Sequence, residues 1–444
     1  MLKQVRIIAL WSLLVVTGLG SVTPALAVAV DWDGLAAGNW GTATNWSGNV
    51  LPGAADDVLI DGGDAQNTTV TLNVNPSINS LTVDTGDALS FNNGTSLTVG
   101  AGGISNSGQI SLNATSAFTI LNIQGGTTIG GSGEVVFTDS TFNRLAVTGG
   151  GTITNAAGHT LRGAGTLLAN SAKAATGGMP NQGTIRATGV NALIIKPDAS
   201  NFTNQGTLRA EGSGGIDLNG GGGGVFSNTG TVIVDAGSRI DLVSGAVYTQ
   251  TAGTTLMNGA LTTGGTTLNI NGGVLGGNGT ITGNVSVTTG GVVNPGNSPG
   301  LLKITGNYTQ SATGELEIEL AGFSRGMQYD ALDVTGNVTI NGLVDLHVNP
   351  AFAVLLNVGD LFKILDYTGT RTGSFASLVD DTTLADFELR YSLGIDPTAV
   401  FVEVTAIHEQ VVPEPSTYLL LASGLAGLVV YRRWKGRRAR SLSS

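Results

Sequence analysis

A short phrase, Asn-x-Gly-Thr followed by an apolar residue, returns through the middle of the chain at an almost fixed interval. It reads Asn181-Gln-Gly-Thr-Ile-Arg-Ala, then Asn204-Gln-Gly-Thr-Leu-Arg-Ala, then Asn228-Thr-Gly-Thr-Val-Ile-Val. A weaker copy starts at Asn155, at nearly the same distance before Asn181, and Asn106-Ser-Gly-Gln-Ile is another. Self-similarity at a period of roughly 20–50 residues is the mark of a solenoid, because one such unit cannot bury its own apolar side and must stack on its neighbours. Inside each phrase apolar and polar residues alternate, as Ile185/Ala187 and Leu208/Ala210 do around Arg186 and Arg209. That two-residue period belongs to strands with one face on a core. No long segment away from the two ends carries a helical period.

The expected fold is therefore all-β: a right-handed parallel β-helix with a β-rich C-terminal segment, an N-terminal signal peptide and a single C-terminal transmembrane helix. A β-sandwich with many glycine loops is the alternative. The chain has 69 glycines in 444 residues, which suit corners that need positive φ. Asparagine amides are expected to hydrogen-bond in ladders from coil to coil. A stack of coils exposes edges at both ends and needs caps. Residues 28–62 read as the N-terminal cap, with Trp32, Trp40 and Trp46 covering the first coil and Asp56 and Asp57 binding turn amides. The competing reading of the same residues is an aromatic sugar platform with a cation site at the two aspartates. Residues 63–300 read as the repeats. Residues 301–407 read as the segment that finishes the solenoid, with Phe362–Tyr367 and Val400–Val404 as its clearest strands.

Charge separates the body from the ends. Lys3 and Arg6 lie at the front, and Arg432, Arg433, Lys435, Arg437, Arg438 and Arg440 at the back. Residues 28–412 keep 12 basic and 30 acidic residues, a net charge of about −18. Such a body repels nucleic acid, so no nucleic-acid partner is expected. Cysteine is absent, which removes disulfides, thiolate catalysis and cysteine-built metal sites.

Residues 1–27 combine a basic start, an apolar stretch from Ile7 to Leu19 and a small-x-small site at Ala25-Leu26-Ala27. This is the pattern of a secretory signal peptide, cut after Ala27. At the other end Val411-Val-Pro-Glu-Pro-Ser416 makes up most of a linker at 408–416. An apolar run at 417–434 and a basic tail at 435–444 follow. As a helix that run would span about 27 Å, a minimal crossing of a ~30 Å hydrocarbon core. The basic residues beyond it would hold that end in the cytoplasm, and the two prolines block extension of the helix backward.

Pro413-Glu414-Pro415-Ser416, an apolar helix and an arginine-rich tail resemble the PEP-CTERM sorting signal of Gram-negative bacteria. The resemblance covers this C-terminal segment alone. It implies export through the Sec route, a membrane-anchored precursor held in the inner membrane by its C-terminal helix, and recognition of Pro413–Ser416 by exosortase, a membrane protease. It also implies a destination in the envelope, surface or extracellular matrix, in company with exopolysaccharide or biofilm. The body resembles the β-helical passengers of autotransporters, at the tryptophan-rich start and at Asn294-Pro-Gly-Asn-Ser-Pro-Gly300.

Some parallel β-helices degrade polysaccharides, and such an active site needs carboxylates converging with a basic residue. Arg186 and Arg209 share a repeat position and are expected to stack as a solvated stripe. Asp235, Arg239 and Asp241 are expected to form an ion-paired turn. Glu315, Glu317 and Glu319 are expected to line the wet face of one strand. His159, His347 and His408 are scattered without metal-ligand spacing. No catalytic residue, metal ligand or cofactor is expected, and the chain reads as a structural protein of the cell surface or matrix. A β-helix lyase or hydrolase, or an adhesin, is the alternative.

Overall fold

The computed structural model describes residues 28–34, 36–60, 67–169, 178–197, 200–221, 223–394 and 396–408, and a helix at Pro415–Arg440. The expected signal peptide, with Ala25 and Ala27, lies outside the described residues, as do Pro413 and Glu414. The body is a parallel β-solenoid. One repeat makes one coil: Thr184–Ala187 on a first face, Leu193–Ile195 on a second, Asn201–Asn204 on a third, and then Thr207–Ala210 back on the first. The first face is a 15-stranded sheet running from Ala37–Asn39 to Ser377–Asp380. The other two faces form one sheet, because long strands such as Ala260–Ile270 turn the corner between them.

The alternation read from the sequence sets what is inside. Ile185, Ala187, Leu193, Ile195 and Phe202 are all buried, while Thr184 and Arg186 between them face out. Successive coils place like on like: Ile185 on Leu208 on Val232, and Phe202 on Phe226 on Tyr248. The result is one continuous apolar core along the whole stack.

Asparagine occupies the inside too. Asn155, Asn181, Asn204 and Asn228 are in direct register and fully buried, with Gln250 in the same column. Each Nδ2 donates to the side-chain oxygen one coil on: Asn155 to Asn181 at 2.7 Å, Asn181 to Asn204 at 2.8 Å, Asn204 to Asn228 at 2.8 Å, and Asn228 to Gln250 at 3.1 Å. The second hydrogen of Asn181 goes to the Thr207 carbonyl, and that of Asn204 to the Thr231 carbonyl. The backbone carbonyl of the same asparagine accepts two amides from the next coil. Asn181 takes those of Gln205 and Gly206, and Asn204 takes those of Thr229 and Gly230. The expected amide ladder is thus real, and it lies in the core, where each group has its partner.

The column also shows why the phrase contains glycine. Gly183, Gly206 and Gly230 do not have positive φ, contrary to the expectation for corner glycines. A Cβ on Gly206 would lie 2.1 Å from the Gly183 carbonyl oxygen, and one on Gly230 would lie 2.3 Å from that of Gly206. Here glycine is required by the close approach of coil to coil.

Upstream the column is interrupted. The residue beneath Asn155 is Ile129, and beneath that is Ile104. His159, fully buried, fills the gap. Its Nδ1 is 2.8 Å from Oδ1 of Asn155, an atom that only accepts, so Nδ1 carries the hydrogen and Nε2 accepts from Nδ2 of Asn106 at 3.2 Å. Burial pushes the imidazole pKa down to about 4, against a smaller opposing pull from Glu134.

Both ends are closed. Trp40 and Trp46 are buried, with ring centroids 4.7 Å apart, and Trp32 packs edge-on to Trp46 at 4.9 Å. Asp56 accepts the Gly53 amide, while Asp57 accepts from Asn79 and Ser80. The tryptophans present no sugar platform. This end is itself built of coil strands, since Ala29–Asp31 pairs in parallel with Asp57–Ile60. Parallel pairing also continues across residue 300, from Thr280–Val287 to Leu301–Thr305 to Ala331–Val334. On this face it stops at Leu361–Tyr367, which pairs antiparallel with Asp396–Ile407, itself in a hairpin with Ala385–Leu393, while the other faces run on in parallel to Arg371–Gly373 and Ser377–Asp380.

Two outcomes test this account. Asn204→Ala leaves one hydrogen of the Asn181 amide unpaired, while the Asn228 oxygen keeps only the Gly230 amide, so it is expected to cost about 1–3 kcal/mol for the orphaned donor, read by chemical denaturation with hydrogen exchange of the flanking coils. The second concerns pH. Above pH 6.5 His159 is neutral whether the chain is folded or unfolded. Between 6.5 and 4 the unfolded chain takes up a proton that the fold excludes, so stability falls as pH falls. The gap between 6.5 and about 4 corresponds to about 3 kcal/mol. His159→Gln is expected to remove that loss. Comparing the two proteins cancels the opposite slope of Asp330, whose carboxyl is pushed up to about 7 by burial.

Candidate functional site

Parallel stacking turns every outward position into a column. On the third face the column reads Thr203, Ser227, Thr249, Asn269, Ser286, Thr309, Thr339 and Thr372. At ~4.8 Å per coil the column forms a stripe of about 34 Å. It carries hydroxyls and one amide, and no charge. An open groove of 370 Å³ lies on it, lined by Thr267, Asn269, Asn284, Ser286, Asn307 and Thr309 with Val285 at its base. The first face carries a parallel stripe of Thr160, Thr184, Thr207, Thr231 and Thr254. Such walls offer many weak, equivalent hydrogen-bonding positions and no deep pocket.

The charged candidates are partnered. Arg186 and Arg209 stack in register as expected, and Arg162 extends the column by one coil. Arg162 forms a two-pronged pair with Glu134 at 2.7 Å, and Arg186 one with Glu211 at 2.8 Å. Arg209 engages Asp235 at 2.8 and 3.2 Å. The hydrogen bond from Arg162 holds the Glu134 carboxyl below its usual range, against burial. The expected Asp235–Arg239–Asp241 turn is corrected. Asp235 belongs to Arg209 on the first face, whereas Arg239 on the second face holds Asp217 at 2.9 Å together with Asp241. The repeat separates residues that are near in sequence and joins residues one coil apart.

Glu315, Glu317 and Glu319 alternate with buried Leu316, Ile318 and Leu320, as expected. The next strand sets Asp345 beside Glu317 and His347 beside Glu319. His347 lies 3.1 Å from Asp381 and 3.6 Å from both Glu317 and Asp345. Burial opposes its charge, but the bond to Asp381 and the fields of Asp345 and Glu317 outweigh it and raise its pKa. His347 is therefore not isolated, although among the described residues no acid and histidine group has the form of a metal site.

Three further features escaped the sequence reading. Asp330 is buried and clamps two backbones, accepting the Gly300 amide at 2.6 Å and the Glu319 amide at 2.9 Å. His159 completes the core column. An outer ladder also runs along one corner. Oδ1 of Asn284 accepts the Asn307 amide, Oδ1 of Asn307 the Asn337 amide, and Oδ1 of Asn337 the Thr370 amide. Its signal was available as Thr-Gly-Asn at 282–284, 305–307 and 335–337. The uneven spacing of the three copies concealed it.

At the C-terminus, residues 409–414 lie outside the described residues, and a helix runs from Pro415 to Arg440. Pro415 and Ser416 open it. Leu419, Leu420, Leu421, Leu425, Leu428, Val429 and Val430 are all exposed on it, as are Arg432 and Arg433. Lys435, Arg437, Arg438 and Arg440 continue the same helix. Among the described residues no helix is long and apolar enough to cross a membrane. Leu419 to Tyr431 spans about 20 Å at ~1.5 Å per residue, so a crossing needs the flanking residues as well.

Residues 411–438 match the PEP-CTERM protein-sorting motif. The chain is thus exported and sorted to the surface, with processing at the membrane. The motif is recognised by exosortase, a membrane protease, which makes that enzyme its implied partner. No curated protein matches the chain. In a host with exosortase, mass spectrometry of the mature protein is expected to find residues 432–444 missing, and Glu414→Ala is expected to retain them.

Proposed function

We propose that this protein is a non-enzymatic structural component of the cell surface or extracellular matrix of a Gram-negative bacterium, delivered through the Sec route and its sorting tail. The body is a stiff rod that lies along extracellular polysaccharide. The observation carrying this reading is the uncharged column from Thr203 to Thr372. Its regular spacing suits repeated weak contacts along a polymer, which gain strength by number. An acidic body with a neutral stripe favours neutral chains over polyanions. A degradative role lacks comparable support, because the repeat carboxylates Glu134, Glu211 and Asp235 are already held by arginines.

The test is retention on the host's own exopolysaccharide. Thr249→Val, Ser286→Ala and Thr309→Val together keep strand character and remove three hydroxyls. At ~0.5–1 kcal/mol each, retention is expected to fall roughly ten- to a hundredfold. No retention of the unaltered protein would remove the polysaccharide partner. Turnover of the polysaccharide, by reducing ends or by unsaturation at about 235 nm as expected of a lyase, would replace the scaffold with an enzyme.

A further inference from the structure

Along the coils exposed large apolar side chains occur singly or in pairs, as at Val190, at Val50 and Leu51, and at Val225 beside Val247, and they gather in a larger set at one place. Near the end of the body Phe323, Met327, Val354, Leu355, Val358 and Leu361 are all exposed, with Met327 at 74% and Val354 at 65%. They form a connected set. Phe323 stacks on Phe362 with centroids 5.9 Å apart and meets Phe352 edge-on at 4.9 Å. Phe352 lies in the helical turn Pro350–Ala353, immediately before Val354. Arg325 donates to the Lys363 carbonyl at 2.8 Å, which fixes the loop bearing Phe323 and Met327 to the strand bearing Leu361. Clustered and rigidly backed apolar exposure of this kind marks a docking surface.

The position of the patch names its occupant. Leu361 pairs with Glu403, and the Gly359 amide donates to the Val404 carbonyl, so the segment carrying Val354, Leu355 and Val358 adjoins the strand on which the chain leaves the body. That strand ends at Ile407, itself 39% exposed, and the exposed apolar helix begins at Pro415. The chain between them can extend over at most about 28 Å. If that helix sits in a bilayer, the patch cannot be far from the lipid headgroups.

We infer that this end of the solenoid docks on the lipid surface, inserting Met327, Leu355 and their neighbours shallowly into the interface while the precursor is anchored. Contact is apolar rather than ionic, since the body is strongly acidic and anionic headgroups repel it. Docking holds Pro413–Ser416 at the membrane face, where a membrane protease works, and directs the coil stack outward. The inference rests on the reading of the tail as a membrane anchor.

The absence of cysteine permits the test. Met327→Cys, Leu355→Cys and, as a control on the side of the stack, Val190→Cys are each labelled with an environment-sensitive fluorophore. The full-length chain is then reconstituted into phosphatidylcholine vesicles with and without brominated acyl chains. Blue-shifted emission at 327 and 355, quenched by bromolipid and insensitive to salt, is expected, with no change at 190. Labels at 327 and 355 that stay water-like in protein that floats with the vesicles overturn the inference. A shift that depends on protein density and not on bromolipid also overturns it and assigns the patch to a second copy. Failure of the full-length chain to float would instead overturn the anchor reading.

Discussion

A buried amide needs its hydrogen bonds, and in this chain that requirement sets the coil. An asparagine in the core must give two hydrogens and find a donor for its oxygen. The only geometry that does so repeatedly places an identical side chain one coil above and one below, as at Asn155, Asn181, Asn204 and Asn228. An apolar core tolerates slippage between coils, because one aliphatic contact resembles another. The amide column does not, since a shift of one residue would leave several polar groups unpaired at once. The close approach it imposes excludes a side chain at Gly206 and Gly230.

That constraint made the body legible. Asparagine, glycine and threonine recur together because one carries the column, one permits the approach and one offers its carbonyl to the amide above. What remained hidden followed from the same geometry. Contacts between coils join residues about one period apart, so Arg209 finds Asp235 while nearby Arg239 finds Asp217. Proximity along the chain is a poor guide to pairing here. His159 escaped notice because it repairs an interruption in the column, and a repair has no repeat. Coil length also varies. The coil that sets Val292 on Val274 is short, and the one that sets Ser377 on Leu343 is nearly twice as long. The Thr-Gly-Asn corners consequently fall out of step with any single period.

The outside of the stack is shaped by the inside. Once the core sets the register, outward residues become columns whether or not they act. Charges in columns would repel at ~4.8 Å spacing, and here arginines in register are each offset by a carboxylate. Threonine, serine and asparagine stack without that penalty, and β-branched threonine suits the strand. A neutral wall is therefore the surface such a stack reaches most easily, and a function built on it gains length simply by adding coils. This favours binding that scales with length over catalysis, which needs a few unlike groups brought to one point.

The two ends break the repetition in different ways. At the N-terminus tryptophans bury themselves over the first coils, and the apolar side chains left exposed there are the aliphatics Val28, Val50 and Leu51. At the other end the antiparallel hairpin closes the stack, yet Phe323, Met327 and Val354 stay exposed beside it. A protein that must remain soluble gains nothing from that asymmetry. It makes sense if this end is never presented to open water until the tail is removed. The sorting signal and the body would then be joined by more than a linker: the terminal coils would present the linker to the membrane at a fixed height. Cutting the tail would also release the body from the lipid surface, because shallow apolar insertion without a spanning helix holds weakly.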